Sequence, residues 1–144
     1  MILRVKKLRN DAIVPEYATK GSVAFDICAV EDRIVIKGTG IVKVPTGLAF
    51  AIPEGYEMNV RARSGLSLKY PNYIAITGGG TIDSDYRGEI MVPIINRSNE
   101  RWEIKKGDRI AQCIVAPVSI MKMEVVDELD ETDRGTGGFG STGK

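Results

Sequence analysis

The chain has 144 residues, of which 43% are hydrophobic and 27% charged, and this composition is typical of one globular domain. Its formal net charge of +1 gives no electrostatic basis for binding a nucleic-acid polymer, and no apolar run is long enough to suggest a membrane span. The sequence contains no histidine, which excludes a histidine base or metal ligand and leaves acid–base chemistry to Asp, Glu, Lys or Tyr.

The first half of the chain consists of short apolar runs separated by glycine and proline, the usual pattern of strands in a sandwich or barrel. These runs cover residues 34–36, 41–44 and 48–52. A clean alternation follows at Tyr56–Arg61, where Tyr56, Met58 and Val60 share the face that we expect to lie on the core. The sequence therefore predicts an all-β domain.

The alternation stops at Arg63, and Ser64 is a residue type that often caps the start of a helix. We predict one short helix over residues 63–70. Its exposed N–H groups, with Arg63 beside them, would suit a phosphate. The alternative is an ordinary capped helical turn that binds nothing.

Glycines, carboxylates and an aromatic ring converge at residues 78–90, between the apolar runs 73–76 and 90–95. This pattern predicts a hairpin whose glycines let the backbone approach a ligand closely. A carboxylate at its mouth is a candidate general base. The alternative is that Asp83 and Asp85 only accept hydrogen bonds from the backbone of their own turn.

Two more strand-like runs lie at residues 102–104 and 110–115, joined by a basic turn. Gln112 stands out in the second run, because its amide needs partners, either backbone groups in the core or a ligand at the strand's edge. Cys28 and Cys113 each lie in an apolar run, so we expect two buried thiols that form no disulfide.

After Val126 the chain becomes acidic and then rich in glycine, and we expect this tail to be mobile unless a ligand orders it. Residues 138–144 match the first part of a phosphate-loop spacing, but the helix of that motif does not follow, which argues against a P-loop NTPase. Glycine N–H groups and hydroxyls can still wrap a polyphosphate. Phe139, isolated among glycines, fits a lid on a flat ring.

Five motifs occur in an order that closely resembles the trimeric deoxyuridine triphosphatase (dUTPase) family. They are VAFDICA at 23–29, RSGLS at 63–67, GTIDSDYRGE at 80–89, GDRIAQ at 107–112 and RGTGGFGSTG at 134–143. The resemblance implies a distorted β-barrel or jelly roll with one short helix and a flexible glycine-rich tail. It also implies a homotrimer with active sites at subunit interfaces. We expect one domain over 1–144, made of a β core (1–126) and a mobile arm (127–144).

The implied activity is hydrolysis of dUTP to dUMP and pyrophosphate with Mg²⁺, which keeps uracil out of DNA and supplies dUMP for dTMP synthesis. Asp83 would activate the attacking water, Tyr86 would pack beneath the deoxyribose, and Asp26 would meet Mg²⁺ through water. The other residues that the resemblance places on the substrate are Arg63, Ser64, Gly65, Thr77, Gly80, Thr81, Ile82, Gln112, Arg134, Phe139, Gly140, Ser141 and Thr142. The expected partners are dUTP and further copies of the chain, and the expected location is intracellular: the cytoplasm, or the cytoplasm or nucleus of a host cell if the source is viral.

The sequence departs from the family pattern in two places. Val23, Ala24 and Phe25 stand where the first motif usually reads Ala-Gly-Tyr, and Thr77 stands where many bacterial members carry an asparagine that contacts the base. Two other functions stay open at this point. One is a dCTP deaminase-like enzyme, and the other is a dUTP-sensing protein whose ordered tail signals to a partner.

Overall fold

The computed structural model describes residues 1–38, 40–69, 73–75 and 80–138, with the side chains of 73–75 left aside. Within these ranges the chain forms eleven strands and one helix. The strands are β1 (Arg4–Lys7), β2 (Phe25–Cys28), β3 (Arg33–Val35), β4 (Val42–Pro45), β5 (Leu48–Ala51), β6 (Tyr56–Arg61), β7 (Tyr73–Ala75), β8 (Gly80–Ile82), β9 (Met91–Asn96), β10 (Trp102–Ile104) and β11 (Arg109–Pro117), and the helix is α1 (Ser64–Lys69).

The described strands form four sheets, and every pairing among them is antiparallel. The largest sheet has the order β2-β11-β6-β8, the next has the order β4-β9-β7, and β1-β5 and β10-β3 are two-stranded. The all-β prediction with one short helix is confirmed. Among the described residues these sheets do not join into one closed barrel.

An apolar core lies beneath these sheets, and side chains from most strands contribute to it. Strand β6 shows how the sequence pattern produces this burial, because Met58 and Val60 are buried while Arg61 on the other face is exposed. The expected strand 34–36 is less regular. Val35 is fully buried, but Ile34 is 57% exposed, since alternate residues of β3 point to opposite faces.

The expected hairpin around residues 78–90 is present in a more complex form. Strands β7 and β9 pair as predicted, with Ala75 opposite Ile94. The glycine-rich stretch between them also contributes a strand of its own, β8, which pairs with β6 in the other sheet. Gly80 permits this, since a Cβ there would lie 3.3 Å from Cβ of Val60. This connection therefore carries the chain from one sheet to the other.

Beyond β11 the described chain, 118–138, contains neither helix nor strand. Several apolar side chains of this segment are exposed, including Ile120 at 83% and Met123 at 94%. Nothing in the described residues defines a boundary at 126, so the division into core and arm stays a prediction. The described part of the chain holds no helix with the length and apolar character needed to cross a membrane.

Candidate active site

Strands β2 and β11 bring together the first, second and fourth motifs. Asp26 lies opposite Gln112 in the antiparallel register of these strands. The Asp26 carboxylate accepts from two arginines, with Oδ1 3.0 Å from Nε of Arg63 and Oδ2 3.3 Å from Nη1 of Arg109. Arg63 also donates from Nη1 to the backbone oxygen of Arg109 at 3.1 Å. One carboxylate and two guanidinium groups therefore form a compact ionic cluster at the edge of the sheet.

The amide of Gln112 has a backbone partner. Its Nε2 donates to the carbonyl oxygen of Ala62 at 2.7 Å, which fixes the side chain just before α1.

The predicted helix is confirmed, but the cap was wrong by one residue. The carbonyl of Arg63 accepts the first helical bond from the N–H of Ser67 at 3.0 Å, so Arg63 takes the cap position and Ser64 is the first helical residue. Ser64 and Gly65 are both exposed.

A cavity of about 540 Å³ adjoins the ionic cluster. It is lined by Asp26, Cys28, Arg109 and Gln112 on the sheet and by residues of the segment 13–18 facing them.

Both cysteines are free, as predicted. Cys113 is buried, and burial raises the pKa of its thiol to about 12. Cys28 is only half-buried, contrary to expectation, because its side chain reaches the cavity wall.

The third motif builds a second cavity, of about 520 Å³. It is lined by Lys43, Thr81, Ile82, Asp83, Tyr86, Glu89, Met91 and Pro93. Asp83 follows directly after β8 and is exposed, so its carboxylate can reach both solvent and a bound ligand. Its carbonyl accepts from the N–H of Tyr86 at 3.1 Å, which closes a tight turn. Asp83 and Tyr86 thus share one cavity wall.

The structure separates the two groups of expected site residues within one chain. Among the described residues, no residue lines both the cavity of Asp83 and the cavity of Asp26. Arg134 does not line either of these cavities. Its Nε donates a hydrogen bond to the nearby carbonyl of Gly137 at 3.2 Å. Thr77, Phe139, Gly140, Ser141 and Thr142 lie outside the described residues.

A family model described as dUTPase matches residues 10–143 of the chain. The chain belongs to the dUTPase family. A deoxyuridine 5'-triphosphate nucleotidohydrolase of Nautilia profundicola is 51% identical over 144 residues, which is 100% of both sequences. The dUTPase of Staphylococcus bacteriophage 80alpha, solved with dUPNHPP, is 29% identical, with a TM-score of 0.91 over 99% of each chain. A mutant dUTPase from phage phi11 of S. aureus, which coordinates a structural Mg(II) ion, is 25% identical with a TM-score of 0.81, covering 89% of this chain and 98% of its own.

Several cavity residues of this dUTPase-family chain were not among the expected site residues. Lys43 and Pro93 lie directly opposite each other in the β4–β9 register, and Met91 lies opposite Pro45. Their place on the cavity wall depends on that register and on how the hairpin folds over the sheet, which no local pattern encodes. Arg109 lies in the fourth motif, and only its contact with Asp26 marks it.

An ionic network supports the turn that leads into the fourth motif. Lys106 Nζ contacts the carboxylate of Asp11 at 2.7 Å, and the backbone N–H of Lys106 donates to Asp32 at 2.8 Å. The hydrogen bond from Lys106, followed by that from Arg9, lowers the pKa of Asp11 to about 2. The Lys106 N–H bond lowers the pKa of Asp32 in the same direction. These contacts tie three distant segments together on the side of the fold that carries Arg109.

Proposed function

We propose that this chain hydrolyses dUTP to dUMP and pyrophosphate. The observation that carries the proposal is the cavity at the end of β8, where the carboxylate of Asp83 and the ring of Tyr86 stand on one wall. Membership of the dUTPase family supports the same reaction, as does the Nautilia relative, a deoxyuridine 5'-triphosphate nucleotidohydrolase that is 51% identical over the full length.

In this proposal Asp83 acts as the general base. It takes a proton from a water molecule as the water oxygen bonds to the α-phosphorus, and the bond from that phosphorus to the α–β bridging oxygen breaks to release pyrophosphate. The position of Asp83 supports the role, because its exposed carboxylate borders the cavity and histidine is absent from the chain. A positioned carboxylate base typically contributes a factor of about 10²–10⁴ to the rate.

Recognition of the base and sugar is proposed for the same cavity. Strand β8 is at the end of its sheet, so in the described part of the chain it has a strand neighbour only on the β6 side. The open backbone edge at Gly80, Thr81 and Ile82 can then pair with the edge of uracil, as a further strand would. Tyr86 would pack beneath the deoxyribose and leave no room for a 2'-hydroxyl. Thr77 is proposed to lie near the base.

The phosphates are proposed to bind at the ionic cluster, through Arg63, Gln112 and the start of α1 at Ser64 and Gly65. The donor set there fits Mg²⁺, which is usually held by one or two carboxylates, water and substrate phosphates. Among the described residues no group of three or more acidic, Cys or His side chains converges, so Asp26 would be the protein's contact to the ion, through water. Bound Mg²⁺ would neutralise charge on the triphosphate oxygens.

The complete site is proposed to form between copies of the chain in a homotrimer. The separation of the Asp83 and Asp26 cavities within one chain supports this, because a second copy would bring its Asp26 cavity to the Asp83 cavity of the first. The arm 127–144 would close the site, with Arg134, Ser141 and Thr142 on the terminal phosphate and Phe139 and Gly140 over uracil. The ligand of the 80alpha enzyme, dUPNHPP, is in keeping with such a site.

The decisive experiment measures pyrophosphate release from dUTP, dTTP, dCTP and UTP with Mg²⁺ present. We expect strong preference for dUTP, because the base pocket and the Tyr86 ring select uracil and deoxyribose together. Similar rates with all four nucleotides would refute the proposal. Ammonia release from dCTP without pyrophosphate would favour the deaminase-like alternative instead.

A further inference from the structure

We propose that Gly88 and Glu89 are positioning residues that fix the ring of Tyr86, and that through this ring they set the discrimination between deoxyribose and ribose. The inference rests on the proposed role of Tyr86 as the surface beneath the sugar. Tyr86 is 44% exposed, so packing alone does not hold its ring in place. Its orientation must come from specific neighbours.

Gly88 provides the space that the ring occupies. A Cβ built on Gly88 would lie 2.5 Å from the ring carbon Cζ of Tyr86 and 3.0 Å from Cε2, and closer still to the hydroxyl oxygen. Real side chains do not tolerate such distances, so any residue other than glycine would displace the ring. Gly88 does not adopt the left-handed conformation that excludes other residues. Its need for glycine therefore comes from the Tyr86 ring and not from its own backbone.

Glu89 holds the hydroxyl end of the Tyr86 ring by a hydrogen bond. The Tyr86 hydroxyl donates to the backbone oxygen of Glu89 at 3.1 Å. The Glu89 carboxylate accepts, through Oε1, from the N–H of Gly47 at 2.7 Å, in a partly buried position. This is a charge-assisted bond, which is shorter and stronger than a neutral one. The acceptor for the tyrosine hydroxyl is thus anchored to the β4–β5 turn by the side chain of the same residue.

The turn that receives Glu89 is buried and closely packed. Gly47 has a φ of +69°, and a Cβ there would lie 2.8 Å from Cβ of Ala12. The next residue along the hairpin, Ile90, makes two hydrogen bonds to the same region. Its N–H donates to the carbonyl of Leu48 at 2.8 Å, and its carbonyl accepts from the Thr46 hydroxyl at 2.7 Å. The hydrogen bonds of Glu89 and Ile90 therefore attach the hairpin that carries the Tyr86 ring to the buried β4–β5 turn.

Gly88→Ala tests the first half of the inference, with Gly21→Ala as its matched control. A Cβ at Gly21 meets no heavy atom within 4 Å, so this control changes only the residue type. The readout is the ratio of kcat/KM for dUTP to that for UTP. We expect a parental ratio of roughly 10² or more, a drop of about tenfold in Gly88→Ala, and no change in Gly21→Ala. The new methyl displaces only the outer end of an exposed side chain, so the fold should be retained.

Glu89→Ala and Glu89→Gln test the second half. The glutamine keeps an oxygen that can accept from Gly47, so its ratio should stay within about twofold of the parental value, whereas the alanine should lower the ratio about as much as Gly88→Ala. Glu54→Ala is the matched control, because Glu54 lies exposed in the β5–β6 turn away from the cavity wall. The ratio does not depend on the folded fraction, so partial unfolding does not obscure it.

A double-mutant cycle shows whether Gly88 acts through the ring. In a Tyr86→Ala background, Gly88→Ala should leave the ratio unchanged, since the group that it displaces is absent. An unchanged ratio in both Gly88→Ala and Glu89→Ala would overturn the inference, as would an equal loss with both nucleotides. A parent enzyme that does not discriminate between dUTP and UTP would instead refute the proposed role of Tyr86, so the two failures are distinguishable.

Discussion

Mixing two inactive variants provides a direct test of where the complete site is assembled. Asp83→Asn disables the cavity at the end of β8, and Asp26→Asn disables the ionic cluster, while both substitutions keep the size of the side chain. Each variant alone should lose most activity. Because the two residues line separate cavities of one chain, a mixed trimer of the proposed kind would combine an intact Asp83 from one subunit with an intact Asp26 from another.

The expected recovery follows from random assembly. After unfolding and refolding in equal amounts, each site has a chance of about one half of receiving an intact Asp83 and an independent chance of about one half of receiving an intact Asp26. About a quarter of all sites are then complete, so pyrophosphate release should reach roughly a quarter of the parental rate. If both residues of a site came from the same subunit, no mixture could restore activity.

The double variant mixed with the parent chain is the matched control. An interface site predicts about a quarter of the parental activity in an equal mixture, whereas a site within one subunit predicts about a half. Native mass spectrometry of the refolded sample would verify that mixed trimers form. Background activity in the first mixture despite verified mixing, together with half activity in the second, would refute assembly of the site between subunits.

Three further predictions concern the base, the hairpin support and the ionic network. Asp83→Asn should still bind dUPNHPP, measured by calorimetry, while dUTP hydrolysis falls by about 10²–10⁴, and turnover within a few-fold of the parent would contradict the assignment. Thr46→Val removes a buried hydroxyl that donates to Ile90 at 2.7 Å, so urea unfolding should show a loss of about 1–3 kcal/mol, and a loss below about 0.5 kcal/mol would argue against this bond. The folded-state pKa of Asp11, about 2, lies below its unfolded value, so the stabilising contribution of this carboxylate is present above pH ~4 and is lost as the pH falls towards 2. Asp11→Asn should therefore lower the free energy of unfolding at pH 7 and flatten its pH dependence between about pH 2 and 4. An unchanged pH profile would contradict the pairing of Asp11 with Lys106.

The sequence alone determined the features that depend on neighbours along the chain. The alternation at Tyr56–Arg61 predicts strand β6 because burial in a sheet repeats every second residue. The break after Arg63 predicts a short helix, and α1 follows there. Asp83 and Tyr86 could be paired as candidates because both belong to one turn, whose hydrogen bond spans only three residues.

Tertiary structure alone decided how distant segments combine. Asp26 and Arg109 are 83 residues apart and meet because β2 and β11 pair, with a shift in register between Arg109 and Ala111. The strand in the glycine-rich connection, β8, joins the sheet of β6 because Gly80 fits against Val60, a contact that the composition of the stretch does not reveal. Lys43 reaches the cavity of Asp83 for the same kind of reason. Local patterns fix which face of a strand is apolar, but the choice of partner strand comes from the sum of many weak long-range contacts, and no short segment contains that sum.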